Sequence, residues 1–148
     1  MYNIEIKCTP VLEDRPTTVR RANDALDVIL PLFPKEDSWR EQCHALFLDR
    51  KNQVIGQFLV GVGGTTNVPF DLKAVCVAAL GVLASGVILV HNHPSGDPHP
   101  GVQDRDITEK LKKALTLLDI QLIDHIIIGE KTFFSFAEEV ASKLPDAA

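Results

Sequence analysis

Hydrophobic and polar positions along the chain change period several times, and each change predicts an element. Tyr2–Cys8 alternates apolar and polar residues, which predicts a strand. Over Thr18–Leu30 the apolar positions Val19, Ala22, Ala25 or Leu26, and Ile29 recur at helical spacing, and Pro31 and Pro34 are expected to end that helix. Cys43–Asp49 is a short apolar run, predicted as a strand. The turn Arg50–Gln53 folds Val54–Val62 back against it as a hairpin. Gly63–Asn67 is expected to be a loop. Phe70–Ser85 is apolar nearly all round, which predicts a buried helix, and Gly86–Val90 predicts a strand buried on both faces. Val102–Asp119 carries one stripe of Ile107, Leu111, Leu115 and Leu118 against a charged face, so it is expected to be an amphipathic helix. Gln121–Gly129 and Thr132–Phe136 predict a second hairpin across Gly129-Glu130-Lys131. Residues 137–144 (AEEVASKL) predict a short closing helix, with a frayed PDAA end. The resulting order, β-α-β-β-α-β-α-β-β-α, predicts an α/β (α+β) fold: a mixed β-sheet flanked by α-helices in a single domain.

Composition narrows the possible functions. The chain has 148 residues, 45% of them hydrophobic, which suits one globular domain. Its net charge is -5, and its densest basic clusters are only Arg20-Arg21 and Lys110/Lys112/Lys113. Strong direct DNA binding is therefore not expected. Cys8, Cys43 and Cys76 all lie in apolar runs and are expected to be buried free thiols. The N-terminus lacks the apolar centre of a signal peptide, and the apolar stretch from Ala74 to Leu83 is too short to span a bilayer. A cytoplasmic, reduced protein without membrane attachment is expected.

The chemistry concentrates in HNHPSGDPHPGVQD, residues 91–104. Residues two apart on a strand point to one side, so His91 and His93 can aim both rings beyond the strand's carboxyl end. Pro94, Pro98 and Pro100 stiffen the following loop, and Gly96 allows a tight turn. The loop returns the chain to Asp104 in the first turn of a helix. Two imidazoles and one carboxylate make three ligands with a fourth position open to water, the pattern of a catalytic zinc site. Mn²⁺ or Fe²⁺ would also accept these ligands, though zinc suits them best. Asp97 and His99 are rival ligands, or serve the turn and face solvent. His125, in an apolar strand, is either a satisfied core histidine tied to a backbone carbonyl or to Asp124, or a further ligand. His44 is expected to pack. Glu41, at the mouth of a strand expected to be central, is the candidate carboxylate for taking the water's proton, against the alternative that it belongs to a solvated loop.

The run HNHPSGDPHP followed by Asp104 resembles the JAMM motif of the JAB/MPN metalloprotease superfamily, and most closely the RadC family. The similarity extends through ALFLDRKNQVIG, through the stretch from GVGGTTNVPF to HNHPSGDP, and through LLDIQLIDHIIIGEKTFFSF, covering about residues 40–137. The resemblance implies a JAB/MPN-like (cytidine-deaminase-like) fold for residues 40–148, preceded over 1–39 by a strand and helix without the helix-hairpin-helix segment of many RadC proteins. It implies one Zn²⁺ per chain on His91, His93 and Asp104, with Glu41 as general acid/base. The implied activity is hydrolysis of a peptide or isopeptide bond in a peptide or protein substrate.

Gly101 departs from the family pattern, which has a serine there that is thought to hold the oxyanion. Glycine keeps the N–H and remains an acceptable helix N-cap, but losing one oxyanion donor can cost ~10²–10³ in turnover. The alternatives are a non-catalytic MPN-type binding or scaffold module, and a DNA-repair or recombination-associated factor acting with a partner.

Overall fold

The computed structural model describes residues 1–3, 5, 7–9, 17–33, 38–63 and 70–145. Its elements are α1 (Ala22–Ile29), a 3₁₀ turn (Leu30–Leu32), β1 (Gln42–Leu48), β2 (Val54–Val62), α2 (Leu72–Gly81), β3 (Gly86–Asn92), α3 (Val102–Leu117), β4 (Gln121–Ile128), β5 (Thr132–Ser135) and β6 (Val140–Lys143). The six strands form one sheet in the order β2-β1-β3-β4-β5-β6. Only β3 and β4 run parallel, joined by the α3 crossover; every other pair is antiparallel. The mixed sheet and its flanking helices agree with the expected α/β architecture.

Side-chain alternation divides the core into two layers. Leu46, Leu48, Ile88, Val90, Ile126 and Ile128 face α1, where they meet Ala22, Ala25, Leu26 and Ile29. Cys43, Ala45, Phe47, Val87 and Leu89 face α2 and α3, where they meet Val75, Ala79, Ile107, Leu111 and Leu115. Each fully buried aliphatic side chain contributes about 1.5–3 kcal/mol. β1 and β3 are buried along their whole length, which is why both read as continuous apolar runs rather than alternating ones.

Several expectations are corrected. The described residues of the predicted strand Tyr2–Cys8 are exposed and belong to no strand, while positions 4 and 6 lie outside the described residues. Cys8 is exposed and Cys76 half-buried, leaving Cys43 as the buried thiol. The first helix begins four residues late because Thr17–Val19 runs alongside the β1–β2 turn. There the Val19 N–H donates to Asn52 O at 2.8 Å, and the Val54 N–H donates to Thr17 O at 2.8 Å. Asp24 then accepts the N–H groups of Arg20 and Arg21, at 2.8 and 3.1 Å. Pro31 sits inside the 3₁₀ turn that ends the helix; Pro34, most of the Gly63–Asn67 loop and the end of PDAA lie outside the described residues. α2 is shorter than predicted and only partly buried: Val77 and Leu80 are 56% and 46% exposed.

The predicted closing helix is instead a turn at 136–139 followed by β6, which pairs antiparallel with β5. An isolated eight-residue helix is marginal in water. Glu139, at φ 53°, breaks its path, and the free edge of β5 offers a ladder of backbone partners instead.

Candidate metal centre

One end of the sheet collects the chemistry. β1 starts there and β3 and β4 finish there, because β1 is antiparallel to β3 and β3 is parallel to β4. Cys43 pairs with His91, so Glu41, two residues before Cys43, projects from the same face as His91. α3 covers that face through Ile107, Leu111 and Leu115, and its first turns bring Asp104 and Thr108 in, four residues apart on the buried stripe.

The loop after β3 is stitched to the β4–β5 hairpin. The His93 N–H donates to Ile128 O at 2.8 Å, the Gly96 N–H to His93 O at 2.9 Å, and the Glu130 N–H to Gly96 O at 2.9 Å. Gly96 turns at φ 86°, a conformation natural to glycine. Gly129 lies so close to Gly96 O and Pro98 that a Cβ there would collide with both.

The four side chains converge. His91 Nε2 is 3.1 Å from Asp104 Oδ1, His93 Nε2 is 3.4 Å from Asp104 Oδ2, and the two Nε2 atoms are 3.1 Å apart. Glu41 Oε1 lies 3.8 Å from His91 Nε2. Glu41, His91 and His93 each offer a ligand atom within 4.8 Å of the others. Tetrahedral ligands at about 2.0–2.1 Å from zinc stand about 3.3 Å from one another, so the His–His and His–Asp separations are those of a shared coordination shell.

Hydrogen bonding supports the same conclusion. His93 Nδ1 lies 2.8 Å from the Asp97 carbonyl oxygen, which can only accept. The Nδ1 therefore carries a proton, and in the neutral form of the ring the Nε2 lone pair faces the cluster. Asp104 Oδ2 accepts the Gly101 N–H at 2.7 Å. Asp104 Oδ1 is buried and has no hydrogen-bond partner among the described residues. A buried carboxylate oxygen among imidazole nitrogens is costly unless a cation stands between them. The donor set thus fits a divalent metal.

The charges follow from burial and proximity. Burial raises the Glu41 pKa, opposed by His93 and reinforced by Asp104. Burial also lowers that of His91, against the pull of Asp104. Burial opposes charge on His93 too, but Asp104, the Asp97 carbonyl and Glu41 outweigh it, so its pKa is raised. For Asp104, burial works upward, yet the imidazoles of His91 and His93 beside it and the Gly101 N–H hold its carboxyl well below the usual carboxylate range.

Asn92, between the two histidines, faces the other way and clamps the Glu41 segment. Its Oδ1 accepts the Gln42 N–H at 2.7 Å, and its Nδ2 donates to Arg40 O at 2.9 Å. Glu41 is thereby held at the site rather than in a solvated loop, and it is buried. A cavity of about 370 Å³ opens beside His93, lined in part by Gln42, Asn92, Ser95, Gly129 and Glu130.

The remaining candidates separate clearly. Asp97 and His99 pair with each other at 2.6 Å, both exposed, and Asp97 touches the site only through its carbonyl. His44 packs on Phe33, with ring centroids 4.5 Å apart. Gly101 caps α3 with ordinary backbone angles, φ -81° and ψ -178°, and a Cβ there would meet Asp104 Oδ2 at 3.6 Å, an ordinary contact.

His125 is a satisfied core histidine, fully buried with both ring nitrogens paired. The partners of its ring are not the expected backbone carbonyl or Asp124: the ring stands between His91 Nδ1, at 2.8 Å, and Thr108 Oγ1, at 2.7 Å, while Asp124 accepts its backbone N–H. Thr108 escaped the sequence reading; its signal was its place one helical turn after Asp104.

The chain is similar to known proteins. A profile of the RadC-like JAB domain matches residues 19–141. A UPF0758 protein of Aquifex aeolicus is 37% identical over 122 residues, 82% of this chain and 52% of the relative. One from Thermotoga maritima is 45% identical over 100 residues, 68% of this chain and 45% of the relative. One from Methanococcoides burtonii is 33% identical over 139 residues, 94% of this chain and 60% of the relative. The chain thus spans about half the length of the curated relatives it matches.

Proposed function

The chain belongs to the RadC-like JAB domain family, and from that premise we propose that it is a zinc-dependent hydrolase of peptide or isopeptide bonds. The observation that carries the proposal is Asp104 Oδ1, buried beside the imidazole nitrogen of His91 and without a hydrogen-bond partner among the described residues.

His91, His93 and Asp104 would hold one zinc per chain, and Glu41 would handle the proton. When bound there, zinc would supply Lewis acidity, of the kind that acidifies water and polarises a carbonyl. Glu41 accepts the proton at its carboxylate and returns it to the leaving amine. Its raised proton affinity suits a general base better than an ordinary carboxylate would. The Asn92 clamp keeps Glu41 at that distance, and the cavity beside His93 gives a substrate segment room.

Gly101 offers no hydroxyl, and its N–H is already taken by Asp104. That observation favours a second reading, a binding or scaffold module that retains the metal. We further propose a cytoplasmic setting and no strong direct DNA contact, in keeping with the net charge of -5. Among the described residues no helix is long and apolar enough to cross a membrane.

The test is a panel of peptide and isopeptide substrates with zinc content measured in parallel. Glu41→Gln should keep zinc and lose ~10²–10⁴ in turnover. Hydrolysis undiminished in that variant would remove Glu41 from the mechanism. Loss of zinc along with activity would make Glu41 a ligand. Silence from every protein on the panel would favour the scaffold.

A further inference from the structure

We propose that Thr108 and His125 form an outer relay that sets which nitrogen of His91 carries its proton, and so presents its Nε2 lone pair to the metal. The proposal rests on the metal reading above, and extends it to two residues that touch no metal.

The chain of contacts can be followed atom by atom. Thr108 lies in the interior of α3, and its hydroxyl donates to the Asp104 carbonyl one turn back, at 2.7 Å, a bond helical threonines readily make. With its only proton used, Thr108 Oγ1 can only accept from His125 Nδ1, at 2.7 Å. His125 therefore carries its proton on Nδ1 and presents a lone pair at Nε2. That lone pair, 2.8 Å from His91 Nδ1, accepts the His91 proton. His91 Nε2 is left bare and faces Asp104 and His93.

The relay is built into the core. His91 and His125 are fully buried and Thr108 nearly so. Phe136 lies flat on the His125 ring, with centroids 4.9 Å apart and planes 5° from parallel, which fixes the plane in which its two bonds are made. β3 and β4 pair Leu89 with His125 and His91 with Ile127, so the two histidines sit diagonally on one face. α3 brings Thr108 and Asp104 to that face together. The ligand Asp104 and Thr108, the far end of the relay to His91, thus belong to one helix. Ring orientation by such outer partners typically changes metal affinity ~10–100-fold.

The decisive measurement needs no metal. Imidazole ¹⁵N shifts of the metal-free protein should show His91 and His125 both protonated at Nδ1. His91 protonated at Nε2 would overturn the relay. Thr108→Val removes the acceptor but keeps the shape. It should move His91 toward the Nε2-protonated form and weaken zinc ~10–100-fold in chelator competition, while Thr108→Ser restores both. Should Thr108→Val fail to fold, His125→Gln decides. Its amide oxygen can replace the Nε2 acceptor, so His91 should stay protonated at Nδ1 with zinc affinity near wild type, whereas His125→Phe should lose both. Unchanged shifts and affinity in Thr108→Val or in His125→Phe would overturn the relay. Folded wild-type protein that takes up no zinc would overturn the metal reading, while the ring shifts continue to judge the relay independently.

Discussion

Asp104 and Asp124 are both buried aspartates, one on α3 and one on β4, yet their surroundings are opposite in kind. Asp124 is surrounded by donors: it accepts the His125 N–H at 2.7 Å, the Ser135 hydroxyl at 2.6 Å and the Ala137 N–H at 2.9 Å. It ties β4 to the turn after β5, and its bonding is complete within the protein. Asp104 takes one backbone N–H through Oδ2, and its Oδ1 has no hydrogen-bond partner among the described residues. Burial alone therefore does not mark a functional carboxylate. What distinguishes Asp104 is acceptor capacity that the described protein does not fill.

The largest effect should come from removing a neighbour of Asp104. His93→Ala should take the zinc content from about one per chain to near none while leaving the unfolding transition cooperative, since His93 ends a strand rather than filling the core. Elemental analysis of the folded variant checks this, and stoichiometric zinc in it would end the ligand assignment. Next comes Asp124→Ala, which strands two buried donors and a third half-buried one and should destabilise the fold by about 2–3 kcal/mol or more. Chemical denaturation would show it, with zinc stoichiometry retained at saturating metal. If Asp124→Ala cost nothing, the two carboxylates would not differ as described.

A smaller effect separates them by pH, in metal-free protein. The folded pKa of Asp104 is depressed, so its stabilisation is present above the unfolded value of about 3.9 and is lost as pH falls toward the folded one. The folded pKa of Asp124 is raised, chiefly by burial, with Ser135 and the two N–H groups opposing. Its contribution is full below the unfolded value and is lost as pH rises through the folded one. The stability gap between wild type and Asp104→Asn should therefore shrink as pH drops below about 4, whereas the gap to Asp124→Asn should move in wild type's favour as pH is lowered toward 4. Parallel slopes would contradict the comparison. The smallest effect is Gly101→Ser, worth a few tenths of a kcal/mol of added stability, because the new Cβ finds ordinary room beside Asp104.

Much of this was legible in the sequence because period and composition are local properties. β1, β2, β3, β4, β5 and α3 fall within a residue or two of the hydrophobic pattern, and His91, His93 and Asp104 follow from strand alternation and a stiff loop. Where neighbours in space decide the outcome, the pattern failed. Residues 137–144 have good helix formers but lie beside an open sheet edge. α2 is apolar nearly all round, yet only Val75 and Ala79 of it are buried. The role of His125 depends on how β4 registers against β3, and no feature within its own strand encodes that register. Glu41 needed the Asn92 clamp, a contact across 50 residues of chain, to be drawn out of the loop reading.

The bonds that join the His93–Pro100 loop to the Gly129–Glu130 turn have a thermodynamic consequence. They hold the liganding end of the sheet in place through backbone contacts alone, as do the buried strands behind it. Assembly of the centre is therefore not the event that folds the chain, in contrast to small domains whose folding energy is their zinc-binding energy. Chelation should leave a folded apoprotein. Its stability should rise with free zinc only as mass action dictates, by about 2.7 kcal/mol at a hundred times Kd, and uptake should be reversible without refolding.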